Sequence, residues 1–391
     1  MPPEELRRSR LLLAAVLAVL AAYLAARFGV AWYLNPGSRM PGDFEVYWRA
    51  AERLVSQESI YVPADASPYK YSLAFAEAFR FTFFLLEARL AAAVWMTLSV
   101  LGFFGVLYVY VRRLLPLARS PLYAVGALFA SIALSWSGIL ETLNYGQVDL
   151  LLVAGAMGAV ATSSVAARAA IWAAILAVKP HWGMVFLAVS IGGGAREFLK
   201  LSAAAALVYL APIAWLGPSG WAGSLAEWVT CLRVQQDAAF MTSHLNLSLA
   251  AVLSRITGWT EGVGTLSAIG IGLDLVGLGW LLALRLRQGE SLRFKLVALA
   301  FGLTGYLLFS PLSWRWFVFL WCPIVVTYAS LGPRELGLTA WAALAFLARF
   351  RFFGALSAED VHFAGVRAGA TVALFVVLAE QVRGVDRQAK A

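Results

Sequence analysis

Charged residues are scarce in this chain. They make up 14% of its 391 residues, whereas hydrophobic residues make up 61%. A soluble domain carries about 25% charged and about 45–50% apolar residues. Because the deficit of charge extends along the whole length, the composition excludes a soluble protein with one added anchor. It indicates an all-α polytopic membrane protein.

Cysteine and histidine are also rare. The two cysteines, Cys231 and Cys322, are too few for a disulfide framework or a structural zinc site. The three histidines lie far apart and outside any metal-binding spacing, so we expect no metal ion. The net charge is +9, but no basic run is interleaved with aromatic residues, so nucleic acid is not an expected partner. The excess of Lys and Arg suits the cytoplasmic face of a membrane and its anionic lipids.

Apolar runs that could cross a bilayer recur along the chain. We predict about twelve transmembrane helices, in segments 11–34, 89–111, 120–140, 147–161, 168–179, 181–195, 201–216, 262–284, 295–310, 316–331, 336–349 and 364–382. The first run follows Arg7-Arg8-Ser9-Arg10 and is longer than a signal-peptide core, so we expect an uncleaved helix. An even number of helices places both termini on one side. The distribution of Lys and Arg makes that side cytoplasmic.

Two segments are predicted to lie outside the bilayer on the opposite face. Residues 35–88 carry charges, prolines and many aromatic residues, and we expect short amphipathic helices at the interface there. Residues 217–261 form a second outer loop. Lys179-Pro180 separates two short apolar runs, which we treat as two helices because one kinked helix would turn the later basic segments outward. With no internal repeat or soluble domain in the sequence, residues 1–391 are expected to form one transmembrane domain.

Polar residues collect at the predicted outer ends of these helices. The five clusters are Asp43, Glu45 and Tyr47; Asn144-Tyr145-Gly146-Gln147-Val148-Asp149; Lys179-Pro180-His181; His244-Leu245-Asn246-Leu247-Ser248 with Arg255; and Ser310-Pro311-Leu312-Ser313-Trp314-Arg315-Trp316. All five fall on one side and at one depth. Ionisable residues are rare in apolar helices, so their concentration at one face predicts a functional site.

The chemistry of these clusters suits sugar transfer from a lipid phosphate. Asp43 can take the proton from an acceptor hydroxyl. Lys179, Arg255 and Arg315 are candidates for binding a phosphate and stabilising its charge as it leaves. Aromatic rings stack on sugar faces, and polar side chains orient sugar hydroxyls. The candidate sugar and acceptor ligands are Tyr47, Tyr71, Gln147, His181, His244, Asn246 and Trp314.

Each candidate also has a plainer interpretation. An acidic loop residue such as Asp43 is usually only solvated. Lys179 before a proline can be a helix-ending residue whose ammonium reaches the membrane surface. His181 and His244 can be interface histidines with satisfied hydrogen bonds. The tryptophans can belong to the aromatic belt of a membrane protein.

Taken in order, several short motifs resemble those of glycosyltransferase family 87. They are Asp43-xxx-Tyr47-xxx-Ala51-xx-Leu54, Ile60-Tyr61, Tyr69-Lys70-Tyr71, Gly146-Gln147, Lys179-Pro180, Asn246-x-Ser248-Leu249 with Arg255, and Ser310-Pro311-x-Ser313-Trp314. The likeness extends from about residue 40 to 320 and depends on the order and sidedness of the motifs. This family contains polyprenol-phosphate-mannose-dependent mannosyltransferases of the multi-spanning GT-C fold.

The resemblance implies a GT-C-type glycosyltransferase in which Asp43 takes the position of an essential aspartate in the first outer loop. Asp43 would deprotonate an acceptor hydroxyl for an inverting attack on the anomeric carbon, and polyprenyl phosphate would leave. Mannose is the expected sugar, and the reaction would occur at the outer face of the cytoplasmic membrane. No cofactor is expected, because the polyprenyl-phosphate sugar is itself the co-substrate. The acceptor can be a glycolipid, a polysaccharide or a protein.

Four motifs depart from the family pattern. Trp316 stands where a histidine is common, and Ser72-Leu73 replaces a Pro-Pro pair. Asp149 stands in place of an asparagine, and Leu247 in place of a glutamine. These departures leave open a different donor sugar or a degenerate enzyme.

The sequence is also compatible with two other classes of function. One is a transporter or flippase of lipid-linked saccharides, although transporters tend to place polar sites near the midplane, within inverted repeats. The other is a non-catalytic membrane subunit that has kept the fold. Trp316 in place of the family's histidine supports that interpretation, whereas Asp43, Lys179 and Arg255 count against it.

Overall fold

The fold was analysed in a computed structural model, which describes residues 3–35, 37–234, 238–246, 248–289 and 291–331. Helices dominate this part of the chain, and an isolated antiparallel bridge joins Asn246 to Trp314. The predicted transmembrane segments 336–349 and 364–382 lie outside the described residues.

Seventeen α-helices follow one another in the described residues. In chain order they are α1 (Pro3–Leu24), α2 (Trp32–Leu34), α3 (Gly42–Val55), α4 (Leu73–Arg80), α5 (Ala88–Leu114), α6 (Pro121–Leu134), α7 (Trp136–Tyr145), α8 (Asp149–Ala161), α9 (Val165–Val178), α10 (Gly183–Gly193), α11 (Ala195–Leu210), α12 (Ile213–Val234), α13 (Ala238–Met241), α14 (Leu249–Thr257), α15 (Val263–Gln288), α16 (Leu292–Phe309) and α17 (Trp321–Leu331). A π-helical stretch, Ala25–Ala31, joins α1 to α2.

The long apolar helices identify a membrane-embedded protein. Four described helices are long and apolar enough to cross a bilayer: Pro3–Leu34, Ala88–Leu117, Val263–Arg287 and Leu292–Phe309. The number rises to six if the bent pairs α6–α7 and α11–α12 each form one span. Three further apolar helices are shorter, so the predicted number of twelve stays a prediction.

Several predicted segments differ from the observed helices. The segment 120–140 is not one straight helix, because α6 ends at Leu134 and α7 leaves at an angle of 54°. The described residues of the predicted outer loop 217–261 are largely helical, since α12 runs through the start of that segment with a kink at Gly217, where φ is +69°. Pro218, which lacks a backbone N–H, follows this glycine and contributes to the kink.

Serine side chains begin several of the helices. The hydroxyl of Ser72 accepts from the backbone N–H of Phe75 at the start of α4, and Ser164 does the same for α9. Ser248 and Ser291 cap α14 and α16. Each cap satisfies a backbone donor that has no partner within the helix.

Small residues allow the helices of the core to pack closely. A Cβ added at Gly302 of α16 would lie 2.9 Å from the Cα of Val185 of α10, so these two backbones are nearly in contact. Close backbone approach at small residues is typical of helix pairs in membranes. The packing fixes α16, whose last residue, Phe309, leads directly into the Ser310-Pro311 cluster.

Candidate active site

One cavity of about 410 Å³ brings together residues from four of the five polar clusters. Its lining residues are Asp43, Lys70, Tyr71, Tyr145, Gln147, Val178, Lys179, Pro180, His181, Leu232, Phe240, Met241, Ser310, Pro311, Leu312, Trp314, Trp316 and Phe317. The volume is within the range of small-molecule sites, which commonly measure about 300–1,000 Å³. The cavity is therefore the candidate active site.

The position of Asp43 depends on a glycine in another helix. Asp43 lies in the first turn of α3, and Gly146 ends α7 in the left-handed conformation, with φ of +65°. A Cβ at Gly146 would lie 2.8 Å from the Cβ of Pro41, so only glycine allows this approach. The indole N–H of Trp95 donates to the carbonyl of Gly146 at 2.8 Å. This contact brings Gln147 next to Asp43.

Asp43 is half-buried, and its side chain accepts a hydrogen bond from Gln147. Burial raises the pKa of the Asp43 carboxyl, because the charged form loses water. Lys179 and Lys70 oppose this shift, and the charge of Asp149 adds to it; the net pKa lies above the usual value. A carboxylate with a raised pKa is a stronger base than an ordinary aspartate.

Lys179 lines the cavity but already has a carboxylate partner. Its Nζ lies 2.9 Å from Oδ1 and 2.7 Å from Oδ2 of Asp149. Asp149 is the first residue of α8 and is 1% exposed. The Lys179 ammonium also lies 5.9 Å from the ring centroid of Tyr71 and 5.4 Å from that of Phe317. The charge of Lys179 is thus largely balanced before any substrate binds.

Lys70 lines the cavity but is not among the predicted site residues. Its Nζ lies 5.5 Å from the ring centroid of Phe240, and its carbonyl accepts from the indole N–H of Trp228 at 2.7 Å. Burial lowers the pKa of Lys70, while Asp43 raises it and Lys179 lowers it. Within the described residues, Lys70 forms no salt bridge with a carboxylate. The one signal in the sequence was its place within the Tyr69-Lys70-Tyr71 motif.

Tyr47 lies in the protein interior and contacts a cavity residue, Tyr71. Tyr47 is fully buried, does not line the cavity, and donates from its hydroxyl to that of Tyr71 at 3.1 Å. The hydroxyl of Tyr61 donates to the Tyr71 carbonyl at 3.0 Å. Burial raises the pKa of both Tyr47 and Tyr71, so both remain neutral phenols. Of these two tyrosines, Tyr71 lines the cavity and can contact a ligand there.

His181 lines the cavity and is stacked on Tyr306. Its Nε2 lies 2.9 Å from the Tyr306 hydroxyl, and the two rings lie 5.6 Å apart at an angle of 13°. Packing against the protein lowers the pKa of His181, with a further contribution from the charge of Lys179. The imidazole is therefore neutral and offers one donor and one acceptor.

Three neighbouring aromatic rings lie on another wall, and two of them, Trp314 and Trp316, are stacked. The rings of Trp314 and Trp316 lie 5.2 Å apart at an angle of 10°, and Trp316 lies 5.4 Å from Tyr145. All three residues line the cavity. Trp316, the position that departs from the family's histidine, is thus a cavity residue that the predicted sugar ligands did not include.

Asn246 is buried in the wall and does not line the cavity. Its Nδ2 donates to the carbonyls of Met241 and Pro311 at 2.7 and 2.8 Å. Its Oδ1 accepts from the backbone N–H groups of Ser248 and Ser313 at 3.1 and 3.0 Å. Asn246 therefore joins the loop after α13 to the loop after α16.

Arg255 also faces this loop and not the cavity. Its Nη1 donates to the carbonyls of Thr242, Ser243 and Asn246 at 3.1, 2.7 and 2.9 Å. These bonds hold in place the segment that carries Phe240 and Met241 on the cavity wall. The geometry gives Arg255 a loop-holding position, in contrast to the expected contact with phosphate.

Two further predicted residues do not contribute a described side chain to the cavity. His244 is exposed and is not a lining residue. The backbone of Arg315 begins a short 3₁₀ helix that ends at Leu320, and its side chain lies outside the described part of the structure. Binding of phosphate by Arg315 stays a prediction.

The fold and the cavity define a class of protein. A cavity that combines a carboxylate, two lysines and aromatic rings at the ends of apolar helices is suited to an enzyme of the membrane that handles a polar substrate. The sequence model of glycosyltransferase family 87 matches residues 71–311, and the chain belongs to this family. The matched range contains Gln147 and Lys179 but not Asp43.

Two curated relatives are similar over most of their length. A polyprenol-phosphate-mannose-dependent alpha-(1-2)-phosphatidylinositol pentamannoside mannosyltransferase of Mycolicibacterium smegmatis is 28% identical over 368 residues, covering 88% of this chain and 84% of the relative. A protein of the same description from Mycobacterium tuberculosis is 26% identical over 347 residues, covering 81% and 73%. The chain is a membrane glycosyltransferase, as the resemblance predicted.

Proposed function

We propose that this enzyme transfers a mannosyl residue from a polyprenyl-phosphate donor to an acceptor hydroxyl, with inversion at the anomeric carbon and with Asp43 as general base. The relatives are described as using polyprenol-phosphate-mannose. The observation that carries the proposal is the half-buried Asp43 carboxylate, which lines the cavity and lies within the electrostatic reach of Lys70 and Lys179.

The reaction requires one proton acceptor and one stabilised leaving group. The acceptor oxygen forms a bond to the anomeric carbon as the bond from that carbon to the phosphate oxygen breaks. The electron pair of the broken bond goes to polyprenyl phosphate, and the proton of the hydroxyl goes to Asp43. The raised pKa of Asp43 supports this role, because it makes the carboxylate a better base. No cofactor enters this scheme.

The leaving phosphate would be bound by Lys70 and Lys179. The charge of Lys179 is already balanced by Asp149, whereas Lys70 forms no salt bridge among the described residues. Lys70 would therefore supply the larger share of the uncompensated positive charge, and Lys179 would supply directed hydrogen bonds. A cation that is in place before the reaction stabilises a developing phosphate charge without reorganisation.

The sugar rings would bind between the stacked aromatic residues and the polar wall. Trp314, Trp316 and Tyr145 offer apolar ring faces of the kind that sugars stack on. His181 and Tyr71 offer hydrogen bonds from the other lining segments. Gln147 would orient Asp43, while Asn246 and Arg255 would hold the loops that build the wall.

We propose a glycolipid acceptor and a site at the outer face of the cytoplasmic membrane, with both termini in the cytoplasm. The relatives are described as acting on a phosphatidylinositol pentamannoside. An acceptor with its own lipid anchor would reach a cavity at the helix ends by diffusing within the membrane. A polysaccharide or a protein acceptor is the alternative outcome of the experiment below.

The test uses membranes that contain the full-length protein and radiolabelled polyprenyl-phosphate mannose. Label is followed into lipid, polysaccharide and protein fractions. Asp43→Asn keeps the size of the side chain and is expected to reduce transfer by a factor of about 100 or more, because a general base contributes about 10²–10⁴-fold. The matched control is Glu45→Gln, an exposed carboxylate in the same turn of α3, which should leave transfer unchanged.

Each outcome is informative. Transfer retained by Asp43→Asn at the wild-type level would overturn the assignment of the base. Label that crosses the membrane without forming a glycosidic bond would support a transporter. Label in the polysaccharide or protein fraction would change the acceptor while leaving the mechanism in place.

A further inference from the structure

A second cavity lies at the opposite ends of the helices that build the active site. It measures about 570 Å³ and is lined by Arg10, Val109, Arg112, Arg113, Pro116, Leu117 and Leu292. The active-site cavity lies near the start of α5, where Trp95 contacts Gly146, and near the end of α16 at Ser310. The second cavity lies at the end of α5 and the start of α16, so a helix length separates the two.

Three guanidinium groups converge on this second cavity from two helices. Arg10 belongs to α1, and Arg112 and Arg113 belong to the last turn of α5. The Nε of Arg10 is buried without a hydrogen-bond partner. Within the described residues, none of the three arginines forms a salt bridge with a carboxylate, and none of the lining residues is acidic.

Two other arginines at this end of the bundle have partners within the protein. An Nη of Arg168 donates to Oε2 of Glu197 at 2.9 Å, and an Nη of Arg293 donates to the carbonyl of Leu331 at 3.0 Å. An excess of basic residues at one end of membrane helices is common. That tendency explains why arginines occur here, but not why three of them share a cavity without a carboxylate.

The rim of the second cavity is apolar. Val109, Leu117 and Leu292 are 45%, 41% and 37% exposed. A soluble anion would make no favourable contact with these apolar side chains. An amphipathic ligand with a phosphate group and hydrocarbon chains would use both the guanidinium groups and the rim. Arginine binds phosphate through two parallel hydrogen bonds, which a single guanidinium can provide.

We propose that this second cavity binds the phosphodiester headgroup of an anionic membrane phospholipid. The guanidinium groups of Arg10, Arg112 and Arg113 hold the phosphate, and the acyl chains lie along the exposed apolar side chains of the rim. The ligand is a component of the membrane and not a substrate of the transfer. The proposal does not depend on the assignment of Asp43 or of the donor sugar.

The experiment titrates delipidated, purified full-length protein with dioleoyl phosphatidylglycerol and dioleoyl phosphatidylcholine, which share their acyl chains. Bound lipid is counted by native mass spectrometry. The variants are Arg10→Gln and the pair Arg112→Gln/Arg113→Gln. The matched control is Arg196→Gln, an exposed arginine in the first turn of α11, near the start of α16.

The wild type should bind phosphatidylglycerol more tightly than phosphatidylcholine. Each arginine removed should weaken the binding of phosphatidylglycerol by about fivefold, since one basic residue near an anionic lipid contributes about 1 kcal/mol. Arg196→Gln should have no effect. Arg112→Lys/Arg113→Lys should retain most of the preference, which separates loss of charge from loss of folding.

Three results would overturn the proposal. The first is equal binding of the two lipids by the wild type. The second is an equal loss in Arg196→Gln, which would indicate general surface charge. The third is inorganic phosphate that competes with phosphatidylglycerol at similar concentrations, because the site would then recognise a free anion without using the apolar rim.

Discussion

The ammonium of Lys179 lies 2.9 and 2.7 Å from the two carboxylate oxygens of Asp149, so these residues form a closed ion pair at the wall of the active-site cavity. Asp149 is nearly inaccessible to solvent, and the Lys179 side chain is 12% exposed. Both charges act on Asp43, in opposite directions. The pair therefore sets how much positive charge the cavity offers to a phosphate.

The first prediction is that variants of Asp149 and Lys179 shift the pH dependence of transfer in opposite directions. Asp43 must be deprotonated to act as a base, so transfer falls as the pH drops through its pKa. Because burial raises that pKa, the acid limb should lie above the value of about 3.9 for an ordinary aspartate. Asp149→Asn removes a negative charge and should move this limb to lower pH. Lys179→Met removes a positive charge and should move it to higher pH.

The measurement is the pH profile of kcat/KM in membranes at constant ionic strength. Shifts of the same sign in both variants would contradict the electrostatic account. Neither variant is expected to be fully stable, because breaking a buried ion pair costs about 3–5 kcal/mol. Transfer rates are therefore normalised to the amount of folded protein.

The second prediction concerns Lys70. Lys70→Met should lower kcat/KM for the donor by about 10–100-fold, which corresponds to the loss of one charged hydrogen bond of about 1.5–3 kcal/mol. It should also move the acid limb to higher pH, because Lys70 lowers the pKa of Asp43. Lys70→Arg keeps the charge and should recover part of the rate. An unchanged rate in Lys70→Met would remove this residue from the phosphate site.

The third prediction concerns the approach of α7 to α3. Gly146→Ala should destabilise the protein by at least about 1–2 kcal/mol, because a side chain is disfavoured at a φ of +65° and its Cβ would meet Pro41. Thermal unfolding and transfer are both measured, since displacement of Gln147 from Asp43 should also slow the reaction. The matched control is Gly105→Ala in α5, where a Cβ meets no atom within 4 Å. Equal effects of the two substitutions would contradict the proposed packing role.

The fourth prediction concerns the aromatic stack. Trp314→Ala should raise KM for a sugar substrate by about two- to tenfold, the equivalent of an aromatic contact of about 0.5–1.5 kcal/mol. Trp314→Phe keeps an aromatic face and should restore most of the affinity. Steady-state kinetics with the donor and acceptor varied separately would show which sugar the stack binds. A change in kcat alone would argue against a role in binding.

The sequence by itself determined the class of this protein. A low content of charge along the entire chain indicates helices in an apolar environment, so the membrane class followed from composition. The break at Lys179 was also predictable, because a proline and a charged residue interrupt an apolar helix. The structure places Asp43, Gln147, Lys179, His181 and Trp314 around one cavity, as their common position at helix ends suggested.

The tertiary structure decided which of these residues face the cavity and which face the protein. Lys70, in a loop, lines the cavity, whereas Arg255 donates to loop carbonyls and Asn246 joins two loops. Lys179 and Asp149 are 30 residues apart, and their pairing depends on how α8 and α9 pack. A sequence shows the charge of each side chain. Which residue pairs with that side chain depends on distances of a few ångströms between distant segments, and helix packing sets those distances.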